Sequence, residues 1–229
     1  MQAVTPIITA QNIPKEIIKK FHIRLLSWFK ENGRSFPWRE TKSPYEIIIS
    51  ELLLQKTNSR AVSETYLKFL KKYPSPAQVT KSSEAEIYSI ISPLGLFYRA
   101  ERILAICSSI EEHHEGEIPN DITDLMKLKG IGRYAASAVL CFGFGESVAI
   151  LDRNVIRILS RVFDIRSNKP RSHIDNQMWE AAQLLLPADN AREYNLALLD
   201  LSAIVCKPKP DCNHCPLNDI CAYSKVNQI

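Results

Sequence analysis

The sequence predicts an all-α protein, and three observations lead to that prediction. Apolar residues recur at helical spacing along most of the chain, no stretch alternates like a half-buried strand, and several segments begin with residues that cap helices. The chain has 229 residues, 45% hydrophobic and 24% charged, which is enough for one large domain or two lobes sharing a core. We expect two helical lobes with a cleft between them.

The individual helices are predicted from their caps and their apolar spacing. The first covers residues 14–32, where Phe21 and Leu25 begin one buried stripe. The next begins after Ser43, a favourable N-cap, and Glu46 is expected to complete a capping box with it. Further helices are predicted near residues 60–72, 84–91, 100–112, 152–163, 174–186 and 192–205.

The helix after Ser43 contains the run IIISELLLQKT, which is apolar all round apart from Glu51. A helix that is apolar on every side is buried in the protein. Leaving an ionised carboxylate there without a partner is unfavourable, so we expect Glu51 to have a raised pKa or a dedicated partner. A structural ion pair and a catalytic acid both fit this pattern.

The segment LKGIGRY contains a short turn in which Gly130 and Gly132 bracket Ile131, followed by a helix of mostly small residues. The first N–H groups of a helix lack intrahelical partners and lie at the positive end of its dipole. The two glycines would let a sugar-phosphate backbone come close to these amides. Taken alone, the motif also fits an ordinary connection between two helices.

Four of the six cysteines lie close together near the C-terminus in the pattern C-x5-C-x2-C-x5-C: Cys206, Cys212, Cys215 and Cys221. Four thiolates so close in sequence are expected to bind one metal centre, either zinc or an iron–sulfur cluster. One close pair with wider gaps on each side favours a 4Fe-4S cluster with a structural role, and zinc is the alternative. The other two, Cys107 and Cys141, are predicted to be small core residues.

Composition narrows the range of partners. The chain has 29 basic and 25 acidic residues, a formal charge of +4, which is a weak indication of a polyanionic partner. No apolar run reaches the roughly 18 residues of a membrane-spanning helix, and the N-terminus lacks the pattern of a secretion signal. We expect a cytoplasmic monomer without a membrane partner, nucleoid-associated if prokaryotic, and without disulfides.

The glycine hairpin, the Asp in LDRNVIRI and the cysteine loop together resemble the helix-hairpin-helix DNA glycosylases of the endonuclease III and MutY group. The resemblance runs from about Trp28 to Cys221. Within that group, FPWRETKSPYEIIISELLLQKT and YNLALLDLSAIVCKPKPDC are most similar to the thymine-DNA mismatch glycosylases.

The resemblance implies a lobe organisation for the chain. Residues 30–135 would form a six-helix barrel-like lobe that ends in the hairpin. Residues 1–29 together with 136–229 would form the second lobe, which carries the cluster loop 206–221 and its 4Fe-4S cluster.

The resemblance also implies roles for three side chains. Asp152 matches the carboxylate beside the sugar C1′ of a flipped nucleotide, where it would stabilise positive charge; capping the following helix would hold it there. Glu51 matches the carboxylate that donates a proton to the leaving base. Tyr134 stands where bifunctional relatives have a lysine that forms a Schiff base, so a monofunctional enzyme leaving an abasic site is expected.

DNA binding is assigned in the same way. Gln55 lies one turn beyond Glu51 and is implied to fill the space of the extruded base. The hairpin backbone at Gly130, Ile131 and Gly132 would bind phosphate, with an affinity that falls with salt. Candidate cationic contacts to phosphates are Arg34, Arg39, Lys56, Arg60, Lys207 and Lys209.

The predicted function is therefore a monofunctional glycosylase that acts on mismatched double-stranded DNA and removes thymine or uracil opposite guanine. An adenine glycosylase acting on A opposite 8-oxoguanine or G is the first alternative. Such enzymes usually carry a further C-terminal domain, whereas this chain ends shortly after Cys221. A non-catalytic DNA-binding module is the second alternative, and the pair Glu51 and Asp152 argues against it.

Overall fold

A computed structural model describes residues 12–227, and within them the chain is helical with no strand. The prediction of an all-α fold is confirmed. The helices are α1 Lys15–Asn32, α2 Pro37–Glu40, α3 Pro44–Leu54, α4 Ser59–Lys72, α5 Pro76–Val79, α6 Glu84–Ile91, α7 Tyr98–His114, α8 Ile122–Lys127, α9 Arg133–Ala138, α10 Arg153–Phe163, α11 Asn176–Leu184, α12 Ala191–Ile204 and α13 Ala222–Asn227. Short 3-10 turns lie at Ser92–Leu94, Ser172–Ile174 and Cys212–His214.

The chain folds into two compact units. One is continuous in sequence, from Ser35 to Glu146, and the other combines the described residues up to Arg34 with those from Ser147 onward. The lobes predicted from the sequence divide the chain near residues 30 and 136. None of the helices in residues 12–227 is both long enough and apolar enough to span a membrane.

The continuous unit is built around α3, which packs against α4, α7 and a π-helical turn, Val139–Gly143, that extends α9. Ser43 caps α3 by accepting a hydrogen bond from the Glu46 N–H, as predicted. The complete capping box lies instead at the start of α6, where Ser83 and Glu86 satisfy each other's backbone N–H groups. The expected box at α3 is therefore only half formed within the described residues.

Close backbone packing fixes the helix that follows the hairpin. Gly143 ends the π-helical turn next to the first residue of α3, and a methyl group placed on Gly143 would lie 2.8 Å from Cα of Pro44. The run Ala135–Ala138 is almost fully buried, because small side chains let this helix approach α3. Cys107 and Cys141 are each 1% exposed and belong to the core, as predicted.

The second unit is organised around α12, which packs against α1 and α10. Phe21 of α1 is fully buried and meets Phe163 of α10 edge-on, with ring centroids 4.9 Å apart. The carboxylate of Asp200 in α12 is also fully buried and accepts hydrogen bonds from the backbone N–H and the Nε of Arg34, at 2.8 and 2.7 Å. This pair joins the end of the α1 segment to the centre of the unit.

Candidate functional site

Asp152 is the N-cap of α10. Its Oδ1 accepts hydrogen bonds from the backbone N–H groups of Asn154 and Val155, at 2.9 and 2.7 Å. The helix begins here because a carboxylate satisfies N–H groups that have no intrahelical partner and interacts favourably with the helix dipole. The side chain is half-buried. The capping role considered for Asp152 is thus present, and it fixes the carboxylate in place.

The second carboxylate oxygen has its own support. Oδ2 of Asp152 accepts a hydrogen bond of 2.7 Å from Nδ2 of Asn154. The carbonyl of that amide accepts from Arg157, at 2.9 Å, and the same guanidinium donates to the backbone oxygens of Ser202 and Cys206. A continuous series of hydrogen bonds therefore joins the candidate catalytic carboxylate to the first cysteine of the loop. Nothing in the sequence pattern predicts these roles for Asn154 and Arg157.

The hairpin connects α8 to α9. Ile131 is 4% exposed, and its N–H donates to the Leu128 carbonyl at 3.0 Å, so this residue anchors the turn. The N–H groups of Gly130 and Gly132 have no hydrogen-bond partner among residues 12–227. Gly132 is exposed, and a methyl group placed on it would meet no atom within 4 Å. The turn thus contains two backbone donors, and the one at Gly132 lies at an open surface.

Tyr134 is the second residue of α9 and is half-buried. Two lysines precede the hairpin, and both are exposed and held in ion pairs. Lys127 bonds to Asp124 at 2.7 Å, and Lys129 bonds to Glu101 at 2.6 Å. Its hydrogen bond to Asp124 raises the pKa of Lys127, which favours the protonated, non-nucleophilic amine.

Glu51 lies in α3 between buried neighbours, Ser50 and Leu52, but its own side chain is half-buried. The sequence predicted burial on every side of this helix. The helix is therefore buried apart from Pro44, Glu46, Glu51 and Leu54, and full burial of Glu51 is not observed.

Gln55 is the C-cap of α3, and its side chain is half-buried. The turn after it is tight, because Lys56 has a left-handed backbone with φ 55°. The Lys56 side chain is exposed. Two arginines of α7 hold this turn, and neither was predicted from the sequence. Arg99, only 1% exposed, donates to the Gln55 backbone oxygen and to Oγ1 of Thr57, and Arg102 donates to Oε1 of Gln55 at 2.7 Å.

The other predicted cationic contacts differ in their surroundings. Arg39, in α2, is half-buried and lies over the Phe36 ring, 5.2 Å from its centroid. Arg34 is engaged with buried Asp200, so its guanidinium serves the fold of its own unit. Arg60 and Lys207 are exposed, as a phosphate contact needs.

All four cysteines of the C-terminal pattern line one cavity. Its other walls are apolar residues of α10 and α12, including Ile158, Val162 and Leu201. Arg161 closes one side, with Nη1 3.5 Å from the Cys206 sulfur and hydrogen bonds to the loop carbonyls at 207 and 208. The fold therefore brings together the four thiols that the sequence pattern grouped as one set of ligands.

The thiols lie near enough to affect one another's ionisation. Burial, together with the other three cysteines, raises the pKa of Cys215 to about 11. Burial and the neighbouring thiols also raise the pKa values of Cys212 and Cys221. Four thiolates therefore require a strongly positive group in the cavity. Among residues 12–227, however, no three His, Cys, Asp or Glu side chains converge closely enough to hold a single ion.

The donor set fits a centre with four thiolate ligands. Both a tetrahedral zinc site and a 4Fe-4S cluster can take four cysteine sulfurs. Cys206, Cys212, Cys215 and Cys221 line one cavity and are thus the residues that would hold either group.

The all-helical fold and the glycine hairpin agree with the class of DNA repair protein that sequence comparison identifies. Residues 49–183 match the HhH-GPD superfamily of base excision DNA repair proteins. The chain belongs to this family, because the match covers more than half of it.

Individual relatives lie within the same family. The chain is 39% identical over 216 residues to a thymine-DNA glycosylase of Aeropyrum pernix, covering 92% of this chain and 97% of the relative. It is 40% identical over 210 residues to a thymine/uracil-DNA glycosylase of Pyrobaculum aerophilum, covering 89% and 91%. An adenine DNA glycosylase of Buchnera aphidicola is 34% identical, with 91% of this chain matching 60% of that protein.

A thymine-DNA glycosylase is also among the solved structures with a similar fold. The structure of a thermostable thymine-DNA glycosylase superposes with a TM-score of 0.87 at 33% identity, covering 93% of this chain and 98% of the other. The predicted resemblance to thymine-DNA mismatch glycosylases, with adenine glycosylases as neighbours, is confirmed by these comparisons.

Proposed function

We propose that this protein is a monofunctional DNA glycosylase that removes thymine or uracil mispaired with guanine and leaves an abasic site. The observation that carries the proposal is the Asp152 carboxylate, fixed by three hydrogen bonds yet half-exposed at the start of α10. The thymine and thymine/uracil glycosylases to which the chain is 39% and 40% identical support the choice of base.

In this proposal the base is first extruded from the duplex, which a mismatch makes easier by a few kcal/mol or less. The bond between C1′ and the base nitrogen then breaks, and its electron pair leaves with the base. Asp152 stabilises the positive charge on the sugar, and Glu51 donates a proton to the base. Water adds to C1′ and loses a proton, which completes a hydrolysis.

The absence of an amine at position 134 sets the product. A tyrosine hydroxyl cannot form an imine with the opened sugar, so the strand is not cleaved through a Schiff base. The two lysines that precede the hairpin, Lys127 and Lys129, lie in exposed ion pairs with Asp124 and Glu101. The strand should therefore break only when the abasic site is treated with alkali.

DNA binding is assigned to the hairpin and to the turn after α3. The free N–H groups of Gly130 and Gly132 would bind a phosphate, with Ile131 as their anchor, while Lys56 and Arg39 add positive charge. Gln55 would occupy the space of the extruded base. The four cysteines would hold a 4Fe-4S cluster, which supplies a rigid structural centre for their loop.

A duplex panel tests the proposal. The full-length protein is incubated with end-labelled G·T, G·U, G·A and 8-oxoG·A duplexes, and each reaction is divided into portions with and without alkali. We expect cleavage after alkali on G·T and G·U and none without alkali. Release from 8-oxoG·A alone would establish the adenine alternative, and binding with no release from any duplex would establish the non-catalytic one.

Asp152→Asn is the matched variant for this panel. Asparagine caps helices about as well as aspartate, so the thermal midpoint should not change, whereas loss of the charge should slow base release by roughly 10²- to 10³-fold. Duplex affinity should remain close to that of the unmodified protein. Unchanged release by Asp152→Asn would remove Asp152 from the mechanism.

A further inference from the structure

Arg102 lies on the first turns of α7, beside the turn that carries Gln55. Its Nη1 donates to Oε1 of Gln55 at 2.7 Å, and its guanidinium lies over the Tyr98 ring, 5.1 Å from the centroid. A guanidinium stacked on an aromatic ring and bonded at its tip has lost most of its freedom. Arg102 is therefore a rigid neighbour for the Gln55 amide.

The same arginine also covers the hairpin. A methyl group placed on Gly130 would lie 2.5 Å from both Cδ and Nε of Arg102, so only a glycine lets the side chain pass. The adjacent residue of α7, Glu101, bonds to Lys129 of the hairpin at 2.6 Å. One turn of α7 thus holds Gln55 on one side and the hairpin on the other.

The hydrogen bond determines how the Gln55 amide is oriented. A guanidinium has only donors, so the amide orientation in which Nε2 faces Arg102 would form no hydrogen bond. With Oε1 turned to Arg102, the two Nε2 hydrogens are left, and they have no hydrogen-bond partner among residues 12–227. The side chain thus presents donors, and not an acceptor, to whatever occupies the adjacent space.

We propose that Arg102 is a positioning and specificity-determining residue: it orients Gln55 so that Nε2 donates to O6 of the guanine left behind when the mispaired base is extruded. Guanine has an acceptor, O6, at the position where adenine has the donor N6, so an Nε2 that donates at this position favours guanine over adenine. The inference rests on the proposed function, because it needs Gln55 to enter the duplex beside the opposite base.

The test deletes one partner at a time. Single-turnover release of uracil is measured opposite guanine and opposite 2-aminopurine, which lacks O6, with the full-length protein and with Arg102→Met, Gln55→Ala and the double variant. The unmodified protein should prefer guanine, and Arg102→Met should reduce that preference about tenfold, to the level of Gln55→Ala. The double variant should reduce it by less than a further twofold, because both changes remove the same contact.

Two outcomes would overturn the inference. Equal slowing on both duplexes by Arg102→Met, with the slope of affinity against salt reduced by about 1, would make Arg102 a phosphate contact. Multiplying effects in the double variant would mean that Arg102 and Gln55 act separately. Arg166→Met, which removes an exposed arginine paired within its own loop, is the matched control and should leave both rates unchanged.

A second variant keeps the test valid if Arg102→Met does not fold. Gln55→Met leaves Arg102 in place but has neither an N–H donor nor an oxygen acceptor, so it should lose the preference for guanine; a preference that survives contradicts the inference. Failure of the proposed function would appear differently, as absence of uracil release by the unmodified protein on the G·U duplex. Thermal midpoints of all variants establish that folded protein is compared.

Discussion

The two oxygens of the Asp152 carboxylate have different hydrogen-bond partners. Oδ1 accepts hydrogen bonds from two backbone N–H groups at the start of α10, while Oδ2 accepts one from the side chain of Asn154. Capping the helix fixes the direction of the carboxylate, so the same group is held in one position to stabilise charge. Asn154 completes this by preventing rotation about the bond that carries the two oxygens.

Replacement of Asn154 by alanine tests that division. The change leaves both backbone hydrogen bonds to Oδ1 intact, so the thermal midpoint should fall by no more than a few degrees. Base release should slow about tenfold, because Oδ2 loses a charge-assisted hydrogen bond worth roughly 1.5 kcal/mol. The rate is measured under single-turnover conditions.

Asn168→Ala supplies the comparison for that variant. Asn168 is also exposed and its amide bonds to Gln177, away from Asp152. This change should leave the rate of base release as it is. Equal slowing in both asparagine variants would show that Asn154 has no particular link to Asp152.

Within the hairpin, the two glycines are required for different reasons. Gly130 has φ 88° and lies under the Arg102 side chain, so it serves the fold of the turn. Gly132 has an ordinary φ of −94° and open space around it, so no folding requirement accounts for its lack of a side chain. Close approach of a ligand backbone accounts for it directly.

Alanine substitutions separate the two roles. Gly130→Ala should lower the free energy of unfolding by about 1–2 kcal/mol, because a side chain is strained at positive φ and displaces Arg102. Gly132→Ala should leave the free energy of unfolding within about 0.5 kcal/mol, since its backbone suits alanine. It should nevertheless weaken binding to matched and mismatched duplexes alike.

Urea unfolding and fluorescence anisotropy with labelled duplexes measure the two quantities for each variant. Because a phosphate contact does not depend on base sequence, the loss of affinity in Gly132→Ala should be the same for every duplex. A Gly132→Ala protein with unchanged affinity would mean that the hairpin does not meet the DNA backbone.

Sequence reasoning recovered the long helices and their caps because both depend on local signals. Asp152 caps its helix as the pattern predicts. A capping box is predicted at Ser43 and Glu46, but the complete one lies at Ser83 and Glu86. The sequence does not show which glutamate side chain turns back to its N-cap. Buried Arg99 was missed although its spacing from Ile103 places it on the apolar face of α7.

What the sequence could not supply is the set of partners that make such burial possible. The Arg99 guanidinium donates to the backbone oxygen of Leu94, which is close in the chain, and to Gln55 and Thr57, which are 44 and 42 residues away. The short helix Pro76–Val79 and the π-helical turn also depend on packing with α7 and α3. Long-range contacts decide these features, and helical periodicity does not record them.

Across the whole chain, the unit that contains both described ends also contains Asp152 and the cysteine cavity. Helix α10 runs from one to the other: Asp152 caps its first turn, and Arg161 near its last turn bonds to the loop carbonyls at 207 and 208. At 1.5 Å per residue, its 11 residues span roughly 16 Å. The cysteine loop therefore contacts the same helix that Asp152 caps, so ordering of the loop affects that helix.

Metal content tests this arrangement. Protein purified without oxidation should be yellow-brown, absorb near ~400 nm and contain iron, as expected for thiolate-bound iron–sulfur centres. Cys212→Ala should lose most of the iron and the colour, and its thermal midpoint should fall, because the buried thiols lose the positive group that holds the loop. Cys107→Ala, which removes an equally buried thiol from the other unit, should keep its full iron content. Colourless protein with one zinc per chain would contradict the cluster assignment, and loss of iron in Cys107→Ala would contradict the choice of ligands.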